Sequence, residues 1–292
     1  VKMLLAVDGI QVNKANNEEV TSLFVACQNG HSKVVEMLLA VDDIQVNQAS
    51  NEEITPLFMA CQNGHSKVVK MLLAVEGIQV NQACDTEATP LYIACQNGHS
   101  KTVAMLLAVD GIQVNQASNE EITSLFMACQ NGHSKVVKML LAVGGIQVNQ
   151  ANDEKTTPLS IACWHGHTKV VKMLLAAEGI HVNQAENTVS TPLYMASQEG
   201  HSKVVEMLLT VGGIKVNQAN DGGFTPLSIA CWHGHSKVVT MLLAVDGIQV
   251  NQANNDEITP LFMACQEGHS KVVRMLLAVD GIQVNQANDE GT

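Results

Sequence analysis

The sequence predicts an all-α solenoid whose unit is two short helices and an extended finger, and three observations carry that prediction. Gly-His pairs at Gly30-His31, Gly64-His65, Gly98-His99, Gly132-His133, Gly166-His167, Gly200-His201, Gly234-His235 and Gly268-His269 recur every 34 residues without a slip. A fixed period of roughly 20 to 50 residues marks a repeat array and overrides the two globular domains that length alone would suggest. The chain is 46% hydrophobic but only 3% aromatic, so its interior is built from Ala, Val, Leu, Ile and Met, the residues of closely packed helix pairs. Helix start and stop signals fall at the same place in every repeat.

Repeat two shows the elements in order. Thr55 caps the first helix through its hydroxyl, and Pro56 takes the first helical position, where a missing N–H costs nothing. Leu57, Ala60 and Cys61 fall at i, i+3 and i+4 on one face, and Gly64 supplies the permissive residue that ends the helix. In the second helix, Ser66 to Val75, the residues Val68, Val69, Met71, Leu72, Leu73 and Val75 leave only positions 67, 70 and 74 for water. A lone repeat cannot hide that much apolar surface, so neighbours must stack on it. The finger lies around residues 50 to 54 and their equivalents.

The residues Thr-Pro-Leu-x-x-Ala, Gly-His-x-x-Val-Val and Val-Asn resemble the ankyrin repeat family over the whole chain, in eight Thr-to-finger repeats. The resemblance implies an elongated, curved array with a short β-hairpin finger per repeat, helix one and the fingers lining a concave groove and helix two facing outward. Three departures accompany it. The repeat has 34 residues rather than 33, the extra one falling in Ala-Val-Asp-Gly after helix two. The fourth residue of Thr-Pro-Leu-His is Phe24, Phe58, Tyr92, Phe126, Ser160, Tyr194, Ser228 or Phe262, so aromatic packing replaces a histidine hydrogen bond. The finger glycine survives only as Gly223, with Glu19, Glu53, Glu87, Glu121, Lys155, Val189 and Glu257 elsewhere, so the family pattern does not fix the tip conformation.

The chain begins inside a second helix, Val1 to Val7, and stops at Asn285 to Thr292, one step before another Thr-Pro-Leu. Neither end shows the polar outer face of a terminal solenoid repeat. The expectation is a single array over residues 1–292, cut mid-repeat at both ends from a longer one.

A formal charge of -12 excludes nucleic acid as the main ligand, because phosphate binding needs a continuous basic stripe. No apolar run reaches a membrane span, and Val1 to Val7 is too short for a signal peptide. Seven of eight cysteines (Cys27, Cys61, Cys95, Cys129, Cys163, Cys231, Cys265) hold one repeat position, with Ser197 in the eighth slot. Helices stacked at about 8–10 Å keep such residues beyond the roughly 7 Å Cα limit for a bridge. Reduced thiols, a cytoplasmic setting and a monomer are expected.

Function is read by comparing the repeats with one another, which separates what stacking demands from what it leaves free. The free positions are the fingers, the aromatic-or-serine slot, the two residues before Gly-His, and the outward slot on helix two (Glu36, Lys70, Ala104, Lys138, Lys172, Glu206, Thr240, Arg274). The resemblance places the first three along the groove. Most repeats offer Gln-Asn before Gly-His, but repeats five and seven offer Trp164-His165 and Trp232-His233, with Gln198-Glu199 between them. Tryptophan is the residue most enriched in binding hot spots, and Phe224 on the neighbouring finger would widen an apolar patch at Trp232. The competing reading is packing: both tryptophans follow a serine four residues back, Ser160 or Ser228, and helical side chains lean over that position. Isoleucines Ile54, Ile122 and Ile258 on the fingers are weaker candidates.

Acidic residues gather on the fingers (Glu18, Glu19, Glu52, Glu53, Glu120, Glu121, Asp153, Glu154, Asp256, Glu257), while lysines from Lys33 to Lys271 open each second helix. An acidic ridge either steers a basic partner or keeps the array solvated. Cys163-x-His165-x-His167 and Cys231-x-His233-x-His235 do not read as a metal site, because the cysteine faces the core and the histidine recurs in every repeat. No catalytic constellation is unique and no phosphate loop is present, so no enzyme, metal or cofactor is expected. The leading expectation is a protein-recognition scaffold, its contact zone Thr156, Trp164, His165, Ser190, Gln198, Glu199, Phe224, Trp232 and His233. The alternative is a structural or elastic spacer in which no groove residue matters individually.

Overall fold

A computed structural model describes residues 11–184 and 190–284. Val1 to Val7, Val189 and Asn285 to Thr292 lie outside the described residues. The chain forms two compact units, Val1–Gln147 and Val148–Thr292. The first holds α1 (Ser22–Gln28), α2 (Ser32–Leu39), α3 (Pro56–Gln62), α4 (Ser66–Leu72), α5 (Pro90–Gln96), α6 (Ser100–Leu106), α7 (Ser124–Gln130) and α8 (Ser134–Leu140). The second holds α9 (Pro158–Trp164), α10 (Thr168–Leu175), α11 (Pro192–Gln198), α12 (Ser202–Leu209), α13 (Pro226–Trp232), α14 (Ser236–Leu243), α15 (Pro260–Gln266) and α16 (Ser270–Leu277).

The local signals act as chemistry requires. Thr55 Oγ1 accepts from Phe58 N–H at 3.1 Å with Pro56 at the first position. At the other end Gly64 has φ +67°, and His65 N–H returns to the Ala60 carbonyl at 2.9 Å. That 6→1 bond with a left-handed residue is a Schellman ending, which satisfies a carbonyl the helix leaves free. Leu57, Ala60 and Cys61 are 1% exposed or less, and within each compact unit the first helices pack on one another in a row, as α3 does on α1 and α5. Along α4, Val68, Val69 and Leu72 are buried while positions 67, 70 and 74 are exposed, the stripe the sequence predicts.

Consecutive repeats are joined by three recurring polar contacts. His99 Nε2 donates to the Gln62 carbonyl at 2.9 Å, and the equivalent bond links His65 to Gln28, His133 to Gln96, His201 to Trp164, His235 to Gln198 and His269 to Trp232. Asn81 clamps the following repeat's link, Nδ2 donating to Gly111 O at 2.9 Å and Oδ1 accepting from Gln113 N–H at 3.0 Å. This clamp accounts for the Val-Asn motif and seats the thirty-fourth residue of the repeat. Neighbouring fingers share one backbone bond, as from Asn51 N–H to Glu18 O at 3.1 Å.

The finger is a closed turn rather than a pair of strands. In repeat two Ser50 N–H bonds Ile54 O and Glu53 N–H bonds Ser50 O, and among the described residues the bridging is limited to the isolated pair Ala117 and Thr123. Five residues are too few for a ladder. The missing glycine does not change the tip: Glu19, Glu53, Glu87, Glu121, Lys155 and Glu257 hold φ between 56° and 62°. Turn and inter-finger bonds hold these side chains in a left-handed conformation that opposes them by about 1–2 kcal/mol each.

Candidate functional site

The second compact unit carries the sequence-predicted contact zone. Trp164, Gln198 and Trp232 close α9, α11 and α13, and His165, Glu199 and His233 are their C-terminal caps. Because His201, His235 and His269 bond the carbonyls of Trp164, Gln198 and Trp232 at 2.8 Å, these pairs lie in register at one-repeat spacing. The fold thus presents them as one row.

The two tryptophans are not equivalent. Trp232 is 38% exposed, the one aromatic among the exposed large hydrophobics of the described residues, whereas Trp164 is half-buried. Phe224 lies 5.3 Å from Trp232 between ring centroids, tilted by 38°, and the His233 ring stacks on Trp232 at 6.5 Å. His233 continues into His235 at 5.9 Å. Described residues give Trp164 no aromatic ring contact, since the Phe224 position of its repeat is Thr156, which is only 9% exposed. Thr156 closes its own finger, its N–H on Asn152 Oδ1 at 2.8 Å, and offers little surface.

Gly222 lies against the Phe224 ring, and Gly223 faces the following finger. A β-carbon at Gly222 would come within 3.0 Å of the Phe224 ring, and one at Gly223, at φ +77°, would meet Asn255 N at 2.7 Å. Phe224 N–H is fixed on Asn220 Oδ1 at 3.0 Å. Ser228 and Ser160 are 0% and 1% exposed. The Ser228 hydroxyl turns back on the helix start, accepting from Thr225 N–H at 2.8 Å, and Ser160 pairs with Thr157 Oγ1 at 3.0 Å. Both serine slots are buried, and Trp232 keeps an exposed indole face.

Ser190 is half-buried and hydrogen-bonds the Tyr194 hydroxyl, whose pKa burial pushes up to about 12 against that bond. Of the other aromatic-slot residues, Phe24, Phe58 and Phe126 are 6% exposed or less and belong to the core, whereas Tyr92 and Phe262 are half-buried. Burial lowers the pKa of His165, the neighbouring His167 and His201 lower it further, and Glu199 opposes them. Gln198 is half-buried and Glu199 exposed. In the first compact unit a cleft of about 790 Å³ runs between fingers and helix-one ends, lined by Phe24, Ile54, Met59 and Gln62 among others. No sequence signal marks it beyond Ile54.

The finger carboxylates are exposed. Among the described residues, no cluster of three histidine, cysteine or carboxylate side chains is placed to hold a metal, and no helix is long and apolar enough to cross a membrane. All eight cysteines are free. Burial raises the thiols of Cys27 and Cys231 to about 12 and those of Cys61, Cys95 and Cys163 higher still, so these sulfurs remain neutral.

Residues 40–118, 108–186 and 184–254 match the family model described as Ankyrin repeats (3 copies), and residues 256–289 match Ankyrin repeat. The crystal structure of the human ASB11 ankyrin repeat domain is similar at 27% sequence identity and a TM-score of 0.65, over 72% of this chain and 92% of that one. None of the curated proteins matches the chain.

Proposed function

Since this chain belongs to the ankyrin repeat family, we propose that it recognises a partner protein through the row of helix-one ends and fingers in its second compact unit. Ankyrin repeats are generally protein–protein interaction modules, and proteins built from them are typically non-enzymatic scaffolds. The observation that carries the reading is Trp232: a large aromatic side chain left 38% exposed beside Phe224. An indole costs little conformational entropy to fix and offers a broad apolar face, which is why such residues anchor interfaces. Trp164, His165, Ser190, Gln198, Glu199 and His233 extend the surface along the row. Thr156 contributes through the shape of its finger.

Trp232→Ala and Trp164→Ala test the reading together. Trp232→Ala is expected to weaken partner capture at least tenfold with an unfolding midpoint within about 2 °C of the parent, since the side chain is partly exposed. Trp164→Ala is expected to lower the midpoint more, through lost packing. Intact capture by the Trp232 variant would leave the spacer reading in possession.

A further inference from the structure

The row that carries Trp232 holds a second anomaly that stability does not explain. In repeats one to four the residue capping helix one is neutral: Asn29, Asn63, Asn97 and Asn131. In repeats six and eight it is Glu199 and Glu267, both exposed. A helix C-terminus carries partial negative charge and disfavours a carboxylate, and both side chains face solvent. The capping asparagines also bond back into their own helix, Asn63 Nδ2 donating to Met59 O at 3.0 Å and Asn97 Nδ2 to Ile93 O at 3.0 Å. A glutamate carboxylate can only accept, so that bond is forfeited.

These two carboxylates flank Trp232. Glu199 follows Gln198, whose carbonyl accepts from His235, and His235 stacks on His233 beside the indole. Glu267 lies two residues before His269, which donates to the Trp232 carbonyl itself. An exposed indole and a half-buried phenyl therefore sit between two exposed acids at one-repeat spacing, with Asp221 exposed on the Phe224 finger.

We propose that this surface, taken as the recognition site argued above, accepts an arginine-bearing basic segment of the partner: one guanidinium stacks on Trp232, and the N–H groups of neighbouring basic side chains reach Glu199 and Glu267. A guanidinium fits better than an ammonium because it is planar, weakly hydrated and stacks on aromatic faces while donating from its edge. The carboxylates supply directional, charge-assisted acceptors that an aromatic surface lacks.

The probe is a short capped peptide alternating glycine and arginine, with lysine and citrulline versions, titrated calorimetrically against the chain. Binding to the Trp164→Phe variant, followed by fluorescence, reports on Trp232 alone. The arginine peptide is expected to bind saturably and shift Trp232 emission, the lysine peptide about threefold more weakly, and the citrulline peptide at least tenfold more weakly. Glu199→Gln with Glu267→Gln is expected to weaken the arginine peptide five- to tenfold, whereas Glu52→Gln with Glu53→Gln, on a remote finger, should change it less than twofold. Equal binding of citrulline and arginine peptides, or equal losses from the two double variants, would overturn the assignment. Failure of the arginine peptide while Trp232→Ala still abolishes partner capture removes only the arginine assignment; loss of both dependences removes the recognition site as well.

Discussion

Gly98 shows what the Gly-His motif does. Its φ of +70° excludes most side chains, and a β-carbon there would fall 2.5 Å from Nδ1 of His133, the ring that bonds the Gln96 carbonyl. Glycine in one repeat is thus the socket for histidine in the next. Gly98→Ala is expected to cost about 2–4 kcal/mol in urea unfolding, backbone strain plus steric displacement of the ring. Gly268 has the same backbone, φ +71°, but nothing within 4 Å, so Gly268→Ala should cost about 1–2 kcal/mol, the conformational part alone. Equal losses would mean that the ring contact carries no weight. Ser197 offers the opposite case. It fills the cysteine slot, fully buried, with its hydroxyl unpartnered, and Ser197→Cys should stabilise by about 1–2 kcal/mol by removing an unsatisfied donor. His165 contributes pH dependence. Its folded-state pKa lies below the ordinary 6.5, chiefly through burial, so the native chain binds fewer protons than the unfolded one as pH falls through that value. The His165 contribution is unchanged above the ordinary value, is lost as pH falls through the interval down to the folded-state pKa, and is constant below that. His165→Asn, which installs the residue of repeats one to four, should shrink the drop in thermal midpoint between pH 7 and pH 5.

At the scale of elements, Thr, Pro and Gly made the helix pair readable because each acts within four residues of itself. Thr55 caps, Pro56 opens, Gly64 closes, and the solvent stripe at 67, 70 and 74 follows from periodicity alone. The contacts that join repeats were hidden because they link residues 30, 32 and 37 apart, and only the register between neighbours brings Asn81 to Gly111 or His99 to Gln62. The Asn clamp makes this testable. Asn81→Ala deletes both bonds at once and leaves Gln113 N–H and Gly111 O to solvent, so it should cost about 1–2 kcal/mol by urea unfolding. Asn81→Asp keeps the acceptor for Gln113 and should cost less. At the candidate site, the proximity of Phe224 to Trp232 was legible from the repeat register, whereas the difference between the two tryptophans was not. Ser160 and Ser228 give them the same local sequence, and the finger residue eight positions upstream differs, Thr156 against Phe224. The left-handed glutamates at the finger tips were equally illegible, and nothing in the geometry calls for a carboxylate there.

For the molecule as a whole, the charge balance separates what holds the fold from what a partner would meet. The chain carries 28 acidic and 16 basic side chains, a net -12. The contacts between repeats are hydrogen bonds from histidine, asparagine and backbone groups, laid over buried aliphatic surface. Folding therefore works against a net self-repulsion. Added salt shortens the screening length from about 10 Å at 0.1 M to about 3 Å at 1 M, which relieves repulsion between exposed charges and leaves buried apolar contacts intact. The thermal midpoint should hold steady or rise as sodium chloride goes from about 0.02 to about 0.5 M. Association with a basic partner should respond in the opposite sense, its on-rate falling over the same range because steering by exposed carboxylates is screened first. A midpoint that falls with salt would mean that ion pairs hold the array together. An on-rate indifferent to salt would mean that the finger carboxylates serve solvation alone, and that recognition rests on the aromatic surface of Trp232 and Phe224.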